Sequence, residues 1–468
     1  MRLIGLTLSL LFSTYLVIRD CRRRRSVSWA IWIPTILVAV LSSRPASLWL
    51  SGGGARGSME MANDAATSVV DQIFFLTVLG SSLIVAFFRR MSWIKLFTSN
   101  IALVLFYLYF AVSVAWSSDP VGSTKRLIKD FGLLFVVALI LTEKDPLEAM
   151  RAVYIRCAIV LLPLSFVFIK WYPEMGRAYG IAGEQMVTGV TTQKNSLGEI
   201  VLIFTLCLIW DYFETRLPGT IFRFKRLPWD LIMLVICGLN LLHLSQSKTA
   251  LVCLIVGSLL ICRTGWFASR SVSRLVLVCA LALPFVVFFA QRFASILGPL
   301  TQALGRNLTF TGRTSIWQHI TLDTVDPMIG AGYWNFWGGP GGYRVNLAMN
   351  SIIPNAHNGY VDLYLDGGLL GLAFLFILLL TVGMRIIRHM RVGSPLSRYE
   401  RVRFAFVIAA IIYNLSESTF ARMGPIWFTT LLMMVEYPSP RLAWKKKLRA
   451  EQQLQAGKQE QALAMARS

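Results

Sequence analysis

The stretch PNAHNGYVDLYLDGGLLG, residues 354–371, sets a histidine and two aspartates where a polar segment meets a long apolar run. Histidine has the unperturbed pKa closest to working pH, so His357 suits the removal of a proton from a hydroxyl. Asp362 and Asp366 stand four apart and share a helix face, where either can orient His357 or a cation. Upstream, FTGRTSIWQHITLDTVDPMIGAGYWNFW (310–337) carries Arg313. Arginine is always charged, planar and able to grip two oxygens of an anion at once. Thr311 or Thr314 can cap a short helix there, with Ile316, Trp317 and Ile320 on one face and Asp326-Pro327 ending it. A cation in that first turn is mildly disfavoured by the helix dipole, so helix stability does not explain it. The bland alternatives are a solvated arginine and an interfacial histidine that caps a helix.

Other charged residues stand where burial would be costly. Glu417 and Arg422 fall in YNLSESTFARMG, a tight hairpin between two apolar runs, where they can pair with each other or meet a substrate. Lys194, in TTQKNSLGEI, Lys248, in SQSKTALV, and Arg344 are further cations, each of which also reads as an interfacial residue reaching toward headgroups. Glu199 can neutralise Lys194, and Arg156, inside a span, needs an acid from a neighbouring helix. His319 sits on the Arg313 helix, where it can line a cleft or simply face solvent; His243 and His389 are given no chemistry.

The elements that must position these groups are membrane helices. The chain has 468 residues, 55% hydrophobic and only 15% charged, far from the balance of soluble domains. Thirteen apolar runs fall near 2–18, 28–50, 69–88, 100–117, 127–142, 152–171, 195–213, 229–243, 249–262, 275–291, 362–384, 404–418 and 424–437. Because a bilayer leaves no water for backbone groups, such runs cross as helices. The expectation is an all-α polytopic membrane protein with about 12–14 transmembrane helices and a large extracytoplasmic loop carrying short helices. Residues 1–291 hold helices 1–10, 292–361 the large loop, 362–437 helices 11–13 and 438–468 a cytoplasmic tail.

The net charge of +22 would suggest nucleic acid in a soluble chain. Here RDCRRRRS, FRRMSWIK, RLPGTIFRFKR, RHMRVGSPLSRYERVR and RLAWKKKLR all fall on one side when the runs are threaded alternately. That side, with most of the 46 Lys and Arg, is cytoplasmic, which places the amino terminus outside and the carboxyl terminus inside. The first 20 residues have no charged leader or A-x-A-like site, so they read as a retained helix. Residues 51–68 read as a flexible glycine-rich connector and the tail as a frayed helix. Seven cysteines without CxxC spacing and four scattered histidines argue against a metal site or a disulfide framework.

TGRTSIW, then GAGYWNF, then AHNGYVDLYLDGGLLG resembles the motif series of the O-antigen ligase and polysaccharide polymerase superfamily. TTQKNSLGEI and SQSKTALV are similar to its earlier landmarks, and WIPTILVAVLSSRPASLWL to the exopolysaccharide production protein branch; the likeness covers most of residues 30–435. It implies a GT-C-like architecture and a glycosyltransferase of the bacterial inner membrane that works at the periplasmic face without metal, nucleotide or other cofactor. The donor would be a glycan on undecaprenyl pyrophosphate, with a sugar or lipid acceptor, membrane lipids around it and no nucleic acid. Arg313 and His357 match the family's motif arginine and histidine and become the catalytic pair. Lys194, Lys248, Arg344, Asp362, Asp366, Glu417 and Arg422 become contacts for pyrophosphate or glycan. The branch resemblance favours a polymerase over a ligase acting on lipid A core. A lipid-linked oligosaccharide flippase and a non-catalytic assembly partner are the readings from other classes. No paired halves with broken midplane helices support transport.

Overall fold

The computed structural model describes residues 1–51, 68–179, 183–215, 229–263, 269–296, 313–320, 325–390 and 396–437. In chain order the helices are α1 (Arg2–Arg23), α2 (Trp32–Leu41), α3 (Ala46–Leu50), α4 (Val69–Phe88), α5 (Trp93–Ser99) and α6 (Ile101–Ser113). There follow α7 (Pro120–Leu141), α8 (Pro146–Trp171), α9 (Pro173–Gly176), α10 (Lys194–Thr215), α11 (Trp229–Ser245) and α12 (Lys248–Cys262). The set closes with α13 (Arg270–Ile296), α14 (Arg313–His319), α15 (Pro340–Met349), α16 (Gly359–His389), α17 (Leu396–Tyr413) and α18 (Pro425–Met434).

Each of the thirteen apolar runs carries a helix. Among the described residues α1, α4, α8, α10, α13 and α16 are long and apolar enough to cross a membrane by length and composition, and α5 with the following Ile101–Trp116, bent by 94°, brings the number to seven if the bent pair counts as one span. The remaining runs are shorter apolar helices, or, in α7 and α17, helices whose first turns carry charge. The protein is a multi-pass helical membrane protein. Within segment 172–194 lie α9 and an antiparallel pair of short strands, β1 (Arg177–Tyr179) and β2 (Gln185–Val187). The connector 52–67 and the tail 438–468 lie outside the described residues.

Contacts between helix ends agree with alternate threading. At one end Arg2, at the start of α1, meets Glu174, just past the end of α8, at 3.1 Å. At the other end, where α1 finishes, α8 begins and α10 approaches its close, lies a buried ionic network. Arg24 contacts Asp20 at 2.7 Å, Asp211 at 2.6 Å, and Glu148. Arg151 binds Glu148 and Asp211, and Arg156 reaches Asp20 at 3.0 Å while lying over the Trp32 ring. Three arginines thus face three acids, which is the condition under which charges survive inside a bundle. Arg156 finds its acid on α1.

The element that positions the site is α16. It is broken at Gly368, whose φ of +60° suits glycine. The turn 327–332 laces into the break: Ala331 N donates to Leu365 O and Gly332 N to Asp366 O, while Leu369 N and Leu370 N donate back to Pro327 O and Met328 O. The approach is backbone on backbone. A Cβ added to Gly368 would sit 2.3 Å from the carbonyl carbon of Met328, and one on Gly330 2.6 Å from that of Asp366.

Candidate functional site

The start of α16 docks on the turn that follows α17. Gly359 N donates to Asn414 O at 2.9 Å and to Glu417 O at 3.0 Å, and a Cβ on Gly359 would strike the Asn414 side chain. Asn414 Oδ1 accepts from Thr419 N and Phe420 N and so shapes the turn. Asn358 caps α16 by accepting from Tyr360 N and Val361 N, and its own N–H donates to Ser418 Oγ. The HNG sequence therefore joins two segments about sixty positions apart, and Glu417 comes to His357 as a result.

Glu417 is the hub. Its Oε1 accepts from Arg313 Nη2 at 2.7 Å and from Asn195 Nδ2 at 2.7 Å. Its Oε2 lies 3.6 Å from His357 Nδ1. Nδ1 is buried without a hydrogen-bond partner, yet the imidazole side chain is 30% exposed, so its other edge carries the exposure. The His357 backbone is held at φ +49°, with its N–H on Asn355 Oδ1 at 2.9 Å. A non-glycine residue in that conformation is locally strained and must be held by its surroundings. Arg313 opens α14, as its motif position led us to expect, and Trp317 Nε1 ties that helix to Ala356 O at 2.8 Å. Thr311 lies outside the described residues.

A second station stands beside the first. Arg422 Nη2 lies 3.0 Å from Asp362 Oδ2, and its guanidinium covers the Trp334 ring at 4.5 Å. Asp362 Oδ1 accepts from Trp337 Nε1 at 2.7 Å and from Ala356 N at 2.9 Å. Trp334 donates to Ala421 O, and the Tyr333 hydroxyl lies within hydrogen-bond reach of both Ala421 O and Asp130. Burial, with the nearby Asp130 carboxyl, pushes the Tyr333 phenol well above its ordinary range, which keeps it a donor.

The structure sorts the remaining sequence readings, agreeing with some and correcting others. Glu417 and Arg422 do not pair with each other: each takes a partner from the loop or from α16. Asp366 does not orient His357, because its Oδ1 accepts from Asn335 N and Phe336 N at 3.1 Å, which makes it part of the lace. Asp362 serves Arg422. Lys194 and Lys248 are exposed first residues of α10 and α12, at the same end as Glu417; Thr249 touches Ser416. Arg344 is exposed on α15. Glu199 does not neutralise Lys194; it accepts from Ile426 N at 3.1 Å. His319 is exposed and bonds within its own helix to Ser315 O. Asn195 was missed: it lies in a motif already singled out, but a neutral amide among charges gave no signal.

Helices, a basic end and a three-residue Arg–Glu–His cluster at the opposite end define a membrane protein with a polar site on one face of its bundle. Residues 232–376 match the family described as O-antigen ligase. The chain is 23% identical over 296 residues to the exopolysaccharide production protein ExoQ of Rhizobium meliloti, covering 61% of this chain and 65% of the relative. The chain thus spans just under two thirds of the length of that curated relative. Over residues 232–376 the chain is thus similar to the O-antigen ligase family, and over a longer stretch it is similar to an exopolysaccharide production protein.

Proposed function

We propose that this protein is a glycosyltransferase of the inner membrane that extends a polysaccharide at the periplasmic face, drawing on an undecaprenyl-pyrophosphate-linked glycan. The observation that carries the proposal is the meeting of Arg313, Glu417 and His357, from three distant segments, around one carboxylate. The acceptor hydroxyl oxygen attacks the anomeric carbon of the donor. The bond from that carbon to the pyrophosphate oxygen breaks, and lipid pyrophosphate leaves. The hydroxyl proton passes to His357 on its exposed edge, with Glu417 balancing the imidazolium charge through Nδ1. Arg313 meets the charge that grows on the leaving oxygens, the electrostatic share of the work that a metal takes in other transferases, so the reaction as proposed is metal-independent. Exposed Lys194 and Lys248 add positive charge at the same end, while Arg422, Asp362 and Arg344 are proposed glycan contacts. Asp366 is retained in the site only as the residue that fixes the lace. A largely apolar cavity of about 600 Å³ between α6 and α7, lined by Leu103, Tyr107, Leu127 and Phe131 among others, offers room for a hydrocarbon chain.

The relative's name points to exopolysaccharide and favours polymerisation; the family's description names ligation, which keeps transfer to a lipid A core as the second reading. The test is purified protein in vesicles supplied with the lipid-linked repeat unit, with products resolved by length and attachment. Ladders of longer lipid-linked chains support a polymerase, and a single transfer to lipid A core supports a ligase. Movement of the donor across the membrane with no new glycosidic bond would overturn the enzymatic reading in favour of a flippase.

A further inference from the structure

The proposed reaction needs Glu417 to give one oxygen to Arg313 and the other to His357. Left to themselves, a guanidinium and a carboxylate tend to close into a fork with both oxygens engaged. Here Arg313 makes a single hydrogen bond, from Nη2 to Oε1. Asn195 Nδ2 takes a second position on that same oxygen at 2.7 Å. A carboxylate only accepts, so the amide must present its nitrogen. An oxygen holding two donors cannot turn toward the fork without giving up one of them, and Oε2 therefore stays toward His357 Nδ1.

Asn195 is itself held in place. It is the second residue of α10, and its carbonyl accepts from the Tyr413 hydroxyl at 3.3 Å. One turn on, Gly198 packs so closely on Ser247 that an added Cβ would lie 2.5 Å from the serine Cβ. The helix start is pinned from two sides, so the side-chain amide has a fixed origin from which to reach Glu417.

We propose that Asn195 is a positioning residue that keeps Glu417 in one-point contact with Arg313, so that the second carboxylate oxygen aligns the His357 ring. The proposal rests on the reading of His357 as the proton acceptor. The test uses the full chain in vesicles with the lipid-linked repeat unit, following initial rates against donor concentration. Asn195→Ala should lower kcat roughly ten- to a hundredfold, the worth of one hydrogen bond to a charged group. Donor KM should stay within about twofold, because the lost contact serves the transition state and not donor binding. Asn195→Asp, nearly identical in shape, should lose at least as much, since a second carboxylate repels the first. In a Glu417→Gln background, Asn195→Ala should cost less than about twofold more, because residues acting through one partner are not additive.

Losses that multiply in the double variant would overturn the proposal, as would full activity in Asn195→Ala or an effect on KM alone. If Asn195→Ala and Asn195→Asp both fail to accumulate as folded protein while the wild type does, Asn195 is structural and the proposal is wrong. A wild type that forms no glycosidic bond removes the reaction reading itself and this inference with it. An active wild type indifferent to Asn195 removes the inference alone.

Discussion

His357 Nδ1 faces Glu417 Oε2 at 3.6 Å, although the two residues belong to different helix ends and Glu417 is already bonded to Arg313. The separation is slightly longer than a hydrogen bond, and catalytic contacts commonly tighten only once substrate is present. The carboxylate thus pairs with Arg313 and, in the proposed reaction, is placed to balance an imidazolium.

Arg313 should be the most sensitive cation. Arg313→Ala is expected to lower the transfer rate by about 10²–10³, the cost of removing one well-placed electrostatic donor. Arg313→Lys should recover only part of that, because an ammonium cannot grip two oxygens in a plane. Initial rates on the lipid-linked donor measure both, and near-normal activity in Arg313→Ala would remove the arginine from the mechanism.

His357 and Glu417 should behave as a unit. His357→Ala is expected to cost about 10²–10⁴ in rate, the usual worth of a positioned base. Glu417→Gln should cost less on its own and add little to His357→Ala, as residues that act together are far from additive. A double variant whose loss equals the product of the single losses would show that the two act separately.

The lace across the α16 break should be intolerant of a single methyl group. Gly368→Ala puts a Cβ 2.3 Å from the Met328 carbonyl carbon at φ +60°. Strain of that kind costs on the order of 1–3 kcal/mol before any clash is counted. Gly338→Ala, where nothing lies within 4 Å, is the control. Thermal unfolding in detergent should fall by several degrees for the first variant and stay near wild type for the second; equal behaviour would contradict the geometry.

At the opposite end, Asp20→Asn leaves Arg156 without its carboxylate partner. Removing one member of a buried pair costs about 3–5 kcal/mol, because a bare charge remains. Asp20→Asn combined with Arg156→Leu should regain much of the lost stability in the same unfolding assay. A double variant less stable than either single one would mean that the network does not work by charge balance.

The helices were legible because the bilayer forces one solution on any long apolar run. Arg313 and His357 were legible as residue types in recognisable motifs. Their common partner was not: Glu417 lies 104 positions from Arg313 in sequence, and its nearest cation along the chain, Arg422, turns instead to Asp362. Arg156 shows the same limit, since its acid is 136 positions away on α1. Asp366 shares its helix face with Asp362, but its oxygen also serves the backbone of a different segment, a partner that spacing does not announce. Periodicity reports which face of a helix a residue is on, and it is silent about what another segment brings to that face.

The crossing at Gly368 is held by main-chain groups on both sides. Peptide groups are the same at every residue, so the hydrogen bonds of this attachment do not depend on which side chains stand at Met328, Ile329 and Ala331. The selective burden falls on Gly330 and Gly368, where any side chain would separate the strands of contact. Substitutions could thus remodel the surface of this turn without detaching it from the helix that carries Asp362 and follows His357.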